Sequence, residues 1–357
     1  MLKICANCEQ LPEPLPSRGT LYLAAPLAHT IGKVRAGLRA QAQAFDEPVP
    51  GVLRIPLEDG GLSRLSPWLE KHLSTPEQRD TRSLYCRSDA SPGLTELMQM
   101  DSLASLLGQL RGAWLAEILA ADRLVTHFQP IVRAADPKQI VAYECLLRAN
   151  GVDGKLIGAP TLLDAARAGG LLFQLDHAAR LKSIESAHRF GVQAQLFINF
   201  LPSAIYDPTF CLRTTIAAIE DAGIRPSQVV FEVVESEEMA DPAHLSNIVR
   251  HYRERGFRLA LDDMGAGYSS LNLMTQLRPD VIKLDMGLVR GVDQDPYKAS
   301  VAGKLLEMGH ELRVITLGEG VETQGEFEWL RAHGVELVQG WLFAKAASPP
   351  PGVASLA

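Results

Sequence analysis

Eight polar side chains interrupt apolar runs in the second half of the chain: Glu144, Asn199, Glu232, the pair Asp262-Asp263, Lys283, Glu319 and Gln339. Five of the eight are carboxylates. An ionised carboxylate buried without a partner costs several kcal/mol. Repeating that cost requires shared compensation, and a bound cation supplies it most directly. The set contains only carboxylate and amide oxygens besides one lysine, with no His or Cys, so Mg²⁺ or Mn²⁺ suits it better than zinc. Two oxygen-ligated cations in one pocket imply phosphoester chemistry, and Lys283 is placed to orient a water or neutralise charge on the phosphoryl group. Taken singly, each residue has an ordinary explanation. Asp262 or Asp263 could cap a helix, Glu144 could pair with Arg148, Asn199 could satisfy a loop, and Glu319 could cap the helix that follows it.

The elements that must position these residues are short apolar runs: His127–Val132, Ile140–Leu147, Gln195–Phe200, Val229–Val234, Phe257–Asp262, Val281–Asp285, Leu312–Leu317 and Glu336–Gly340. Most are separated by a helix-length segment, the pattern of an α/β fold with parallel strands. Only Arg133–Gln139 links the first two, too short for a helical crossover, so that pair is expected to be antiparallel. The spacing predicts a TIM-like (β/α)8 barrel with an irregular antiparallel first strand, and such barrels carry their chemistry at the C-terminal strand ends. The strongest stretch is Phe257–Asp263, an apolar strand ending in two carboxylates, followed by Gly265-Ala-Gly267. That glycine spacing is too short for a dinucleotide fingerprint or a P-loop. Neither a Ser-His-Asp nor a Cys-His set is apparent.

The first third reads differently. Gly19–Pro26, His29–Ala44 and Gly51–Leu57 suggest a small strand-helix-strand unit, with helical sequence at Leu62–Leu73 and no catalytic constellation. The expected organisation is a small α/β regulatory or partner domain over 1–90, a connecting helix over 91–121, a barrel over 122–348 and a tail over 349–357. Leu103, Leu107, Leu110, Trp114 and Ile118 form one helical stripe, which suits a dimer seam, a connector or plain core. Cys5 and Cys8 form a lone CxxC. With only Cys86, His29 and His72 as further candidates they read as free thiols, zinc being the alternative.

The 357 residues carry 46% hydrophobic and 22% charged side chains and a net charge of −7, against polymeric nucleic acid or anionic membrane as partner. Residues 1–120 hold 12 basic and 13 acidic side chains and the remainder 23 and 29, so the acidic excess falls on the barrel half. Neither an apolar run of membrane-spanning length nor a signal-peptide pattern is read, and a cytoplasmic protein is expected.

The barrel half resembles the EAL-domain cyclic-di-GMP phosphodiesterases over roughly residues 108–346. The likeness rests on Gln129-Pro-Ile, Glu144-Cys-Leu-Leu-Arg148, Asn199, Glu232-Val-Val-Glu235, Leu261–Leu271, Lys283-Leu-Asp285, Glu319-Gly-Val-Glu322 and Gln339-Gly340. The resemblance implies hydrolysis of cyclic di-GMP to linear 5'-pGpG with two Mg²⁺ or Mn²⁺ ions, in bacterial second-messenger signalling, by a homodimer. Glu144, Asn199, Glu232 and Asp262 would hold one ion and Asp262, Asp263 and Glu319 the second. Lys283 would contact the attacking water, and Glu319 has an alternative role as base. Gln129, Leu146, Arg148, Asp285 and Gln339 would face the substrate. Glu235 would steady the Asp263–Ser270 loop, and Asp285 and Glu322 would support the ligands. The departures are Cys145 for Ala, Val234 for Thr, Met264 for an aromatic, Ala266 for Thr or Ser, Ala346 for Pro, and a displaced Ser203. They leave every implied ligand in place, which favours an active enzyme. A catalytically weak cyclic-di-GMP receptor is the alternative, motivated by Met264 and Ala266.

Overall fold

The computed structural model describes residues 9–87, 92–98, 100–234, 242–265 and 270–353. The Cys5–Cys8 motif, Glu235 and Ala266 lie outside these residues. The chain forms two compact units. One comprises Gln10–Ala121 with Pro160–Leu172, and the other holds Asp122–Ala159 and Phe173–Ala357.

The first unit runs β1 (Gly19–Ala24), α1 (Ala28–Ala40), β2 (Asp46–Val49), β3 (Val52–Leu57), α2 (Gly61–His72), α3 (Thr75–Asp80), β4 (Arg82–Cys86), α4 (Leu94–Met98), β5 (Asp101–Ser102) and α5 (Leu103–Ala120). Its sheet order is β2-β3-β1-β4-β5, antiparallel throughout. The strand, helix and strand expected at its start are present. An unforeseen hairpin, β2–β3, reverses the chain so that β3 runs against β1, a ferredoxin-like split arrangement. β2 is exposed along its length. Asp, Glu and Pro on an edge strand give no apolar alternation to read. α1 buries Ile31, Val34 and Leu38 against Leu21, Leu23, Leu53 and Ile55.

The helix expected over 91–121 is interrupted at β5, after which the Ser102 hydroxyl accepts from Ser105 N and caps α5. Leu103, Leu106 and Leu107 join the core of this unit. Of the expected stripe, Leu103, Leu107 and Ile118 are buried, while Leu110 and Trp114 are half-buried. A glycine edge shifts the contact face. A Cβ on Gly108 would lie 1.9 Å from the carbonyl oxygen of Ala168, and one on Gly112 2.8 Å from Gly169 Cα. These partners belong to α6 (Ala159–Gly169), the helix packed closely against α5. Gly108→Ala should therefore destabilise the protein by about 1–3 kcal/mol by overpacking. Helix propensity alone gives the opposite sign by ~1 kcal/mol. Thermal denaturation of the two proteins distinguishes them.

The second unit contains β6 (Leu124–Arg133), β7 (Ile140–Asn150), β8 (Leu156–Gly158), α7 (Leu172–Arg189), β9 (Gln195–Asn199), α8 (Pro208–Cys211), α9 (Arg213–Asp221), β10 (Val229–Val234), α10 (Pro242–Arg253), β11 (Arg258–Met264), α11 (Ser270–Leu277), β12 (Val281–Leu284), α12 (Met286–Val289), α13 (Pro296–Leu312), β13 (Ile315–Gly318), α14 (Gln324–Ala332) and β14 (Leu337–Val338). Eight strands close in the order β6-β14-β13-β12-β11-β10-β9-β7, with β7 pairing back on β6. β6 is antiparallel to both neighbours, as the short link requires. β8 adds antiparallel to β7 outside the closure. All eight expected strands are present, but the seventh begins at Ile315 rather than Leu312. α13 runs through Leu312 and closes on Arg313 in the left-handed region at φ +56°.

Inward positions repeat every second residue along a strand. Ile131, Ala142, Phe197, Val230, Ala260, Val281, Leu317 and Leu337, one per strand, fill the middle of the barrel as an apolar plug. Two residues towards the C-terminal ends of the parallel strands stand Glu144, Asn199, Glu232, Asp262, Lys283, Glu319 and Gln339. On the reversed β6 the corresponding residue is Gln129. The polar residues singled out by the sequence therefore form a single inward layer above the plug.

Candidate active site

Lys283 sits at the centre of this layer and is wholly buried. Its Nζ lies 2.6 Å from Glu232 Oε1, 2.7 Å from Glu319 Oε1, 3.0 Å from Asp262 Oδ1 and 3.6 Å from Glu144 Oε1. All four contacts are ion pairs. Asn199 Nδ2 donates to Glu232 Oε2 at 2.9 Å, and Gln339 Nε2 donates to Glu144 Oε2 at 2.5 Å. The same Gln339 nitrogen reaches Gln129 Oε1 at 3.1 Å. These amides orient the Glu232 and Glu144 carboxylates.

Asp262 and Asp263 both reach the site, which a regular strand forbids, because adjacent side chains point to opposite faces. The register between β11 and β12 shifts between Leu261 and Met264, and Asp263 adopts φ +57°. Aspartate tolerates this left-handed conformation better than bulkier residues, and bulges of this kind re-aim side chains beside active sites. Asp263 N donates to Asp262 Oδ1 at 2.9 Å. Two three-carboxylate groups result, Glu144–Glu232–Asp262 and Asp262–Asp263–Glu319, each with ligand oxygens within 4.8 Å of one another and with Asp262 common to both. One lysine against five carboxylates leaves uncompensated negative charge in a largely buried layer. This donor set fits hard divalent cations bound by oxygen.

The electrostatics carry the same message. Burial pushes the Glu232 and Glu319 carboxyls well above the usual range, although Lys283 opposes the shift. Burial, then the Asp262 charge, raises Asp263 to about 6. Burial works against the Lys283 ammonium, yet the four surrounding carboxylates together raise its pKa well above the ordinary value. A raised carboxyl pKa means that the fold holds protons the unfolded chain has released. The associated destabilisation is present above the folded pKa and is relieved as pH falls through it. The melting temperature in EDTA should therefore rise from about pH 8 to about pH 6, and Mn²⁺ should flatten that rise by holding the carboxylates ionised. His177, lowered to about 4 by burial, works in the opposite direction in both series, so their difference isolates the carboxylates.

A cleft of about 240 Å³ opens over the layer, lined by Gln129, Glu144, Asp263, Asp285, Glu319 and Gln339, among others. Asp285 Oδ1 also caps α12, accepting from Gly287 N at 2.8 Å. Glu322 pairs with Arg290 at the rim. Leu146 and Arg148 follow Glu144 on the same strand face but do not line the cleft, and Arg148 Nη1 donates to the Leu147 carbonyl at 2.7 Å. Cys145 is buried in the core of this unit.

Sequence reasoning missed the cleft residues Met286, Arg290 and Trp341. It also missed a buried ion pair on α7, Arg180 Nη2 to Asp176 Oδ2 at 2.8 Å. Asp176 Oδ1 accepts from Leu201 N at 2.9 Å and so anchors the chain just beyond Asn199. The signal available was an Asp and an Arg four residues apart among buried positions of one helix.

A barrel with a buried oxygen-donor layer at its C-terminal strand ends and an open cleft above it has carboxylate groups that could hold metal ions. A family model described as EAL domain matches residues 112–346, about two thirds of the chain, and the chain belongs to that family. It is 34% identical over 226 residues to the probable cyclic di-GMP phosphodiesterase PdeB of Escherichia coli K12, covering 62% of this chain and 42% of that protein. It is 28% identical over 235 residues to the cyclic di-GMP phosphodiesterase NbdA of Pseudomonas aeruginosa, covering 65% of this chain and 30% of that one. The chain thus spans less than half the length of these relatives. Among solved structures, a standalone EAL protein of Vibrio cholerae O395 in its c-di-GMP bound form superposes with TM-score 0.59 at 36% identity, over 65% of this chain and 95% of that one. BlrP1 of Klebsiella pneumoniae, solved as a manganese/cy-diGMP complex, shares the fold with TM-score 0.57 at 22% identity, over 92% of this chain and 96% of that one. Among the described residues, no helix is long and apolar enough to cross a membrane.

Proposed function

We propose that the chain is a cyclic di-GMP phosphodiesterase that hydrolyses its substrate to linear 5'-pGpG with two divalent cations of the Mg²⁺ or Mn²⁺ type. The observation that carries the reading is the complete inward layer: five carboxylates and three amides around Lys283, beneath an open cleft. Glu144, Asn199, Glu232 and Asp262 would hold one cation, and Asp262, Asp263 and Glu319 the other. When bound, such ions polarise phosphoryl oxygens and lower the pKa of a water. Lys283 keeps its proton and presents positive charge to the attacking water or the phosphoryl group. Gln339 and Asn199 hold the Glu144 and Glu232 carboxylates in orientation. Gln129 and Asp285 face the substrate from the cleft walls, with Arg148 and Leu146 recruited from β7. Glu235 steadies the loop after Asp263. The N-terminal unit regulates the barrel or docks a partner, and the active form is a homodimer in the cytoplasm.

The test is product chromatography of cyclic di-GMP incubated with the full chain and Mn²⁺. Linear 5'-pGpG is expected, abolished by EDTA and reduced to background by Glu144→Ala, which removes a ligand while leaving the rest of the barrel in place. Undiminished turnover in that variant would overturn the assignment. Saturable binding without product would instead identify a receptor.

A further inference from the structure

The inward layer on the other side of the apolar plug is polar on four of its eight strands. Two residues from Ile131, Phe197, Val230 and Ala260, away from the catalytic layer, stand Arg133, Gln195, Gln228 and Arg258. Strand register confirms their direction. Arg133 pairs with Leu337, Gln195 with Ala142, and Arg258 with Val230, each partner being a member of the plug. These side chains line a cavity of about 500 Å³, joined by Arg225 from the turn before β10. Its one carboxylate, Glu336, has Oε2 engaged by both the backbone N–H and the hydroxyl of Thr316. None of the three arginines forms an ion pair among the described residues. Arg225 Nε donates to Gln228 Oε1 at 3.0 Å, which aims the guanidinium from its base and commits none of its terminal nitrogens.

We propose that this cavity binds a small phosphate-bearing anion of nucleotide size. Three guanidinium groups against one engaged carboxylate make a positive pole on a chain whose net charge is −7. Guanidinium forks match phosphate oxygens in pairs, and the Gln195 amide offers both a donor and an acceptor to the remainder of such a ligand, while the Gln228 amide is engaged by Arg225 and the Gln193 carbonyl. The volume lies within the range of small-molecule sites. The plug separates the cavity from the carboxylate layer, so this site stands apart from the proposed catalytic one and does not depend on that reading.

The experiment is calorimetric titration of the full chain with inorganic pyrophosphate in EDTA, which removes cation-dependent binding at the carboxylate layer. Saturable binding is expected, weakened at least about tenfold by Arg133→Ala/Arg258→Ala and further weakened by salt. Arg225→Ala, on an exposed turn, should weaken binding about threefold and serves if the double variant does not fold. The proposal is overturned by the absence of saturable binding up to about 10 mM pyrophosphate, or by affinity unchanged in the arginine variants. Loss of phosphodiesterase activity in the chromatographic assay would leave this result unaffected, so the two readings fail separately.

Discussion

Lys283→Met should destabilise the metal-free protein by roughly 3–5 kcal/mol at about pH 8, the cost of leaving buried charges without their partner. The lysine is wholly buried and stands within 3.6 Å of Glu144, Glu232, Asp262 and Glu319. Methionine replaces its volume but not its charge, so the four carboxylates face one another unscreened. The loss should shrink on acidification, because burial already raises the Glu232 and Glu319 carboxyl pKa values and the opposing effect of Lys283 is gone in the variant, so they take up protons more readily. Mn²⁺ should restore stability for the same electrostatic reason. Turnover should fall by about 10²–10³-fold, the usual cost of removing one preorganised positive group. Urea denaturation in EDTA and in Mn²⁺, at two pH values, measures the stability terms. A loss insensitive to both pH and metal would mean that Lys283 matters through packing alone.

Asp262→Asn should separate activity from stability in the opposite sense. Asp262 belongs to both carboxylate groups, so its neutralisation weakens both candidate cation sites at once. Turnover should fall at least about 10³-fold, and Mn²⁺ binding followed by calorimetry should weaken at both sites. The metal-free protein should nevertheless gain about 1 kcal/mol, as residues kept for function commonly cost stability. The amide keeps the shape and can still accept from Asp263 N at the position Oδ1 occupies. It relieves repulsion with four neighbouring carboxylates and loses one contact, 3.0 Å to Lys283 Nζ. Thermal denaturation in EDTA decides the sign. A clear loss of stability would mean that Asp262 serves chiefly as the counter-ion of Lys283.

The sequence by itself determined the site's composition and its periodic placement. Polar residues at Glu144, Asn199, Glu232, Asp262, Lys283, Glu319 and Gln339 interrupt apolar strands, and strand alternation carries each of them inward with its plug neighbour. The reversed first strand was equally legible, because the seven residues Arg133–Gln139 cannot form a crossover helix. Tertiary structure decided what depends on pairing between distant segments. The register shift and the left-handed backbone at Asp263 bring its carboxylate to the same cluster as Asp262, where strand alternation alone would have sent it to the other face. The Asp176–Leu201 anchor joins a helix to a loop 25 residues away. The edge strand β2 is exposed and polar, so no local apolar pattern announced it. The second polar layer was also written in the sequence, at Arg133, Gln195, Gln228 and Arg258. A charged residue at the start or end of a strand reads as solvated until the closed sheet shows which way it points. Closure of eight strands into one ring is a long-range fact, and it turns a list of side chains into two opposed poles on either side of an apolar plug.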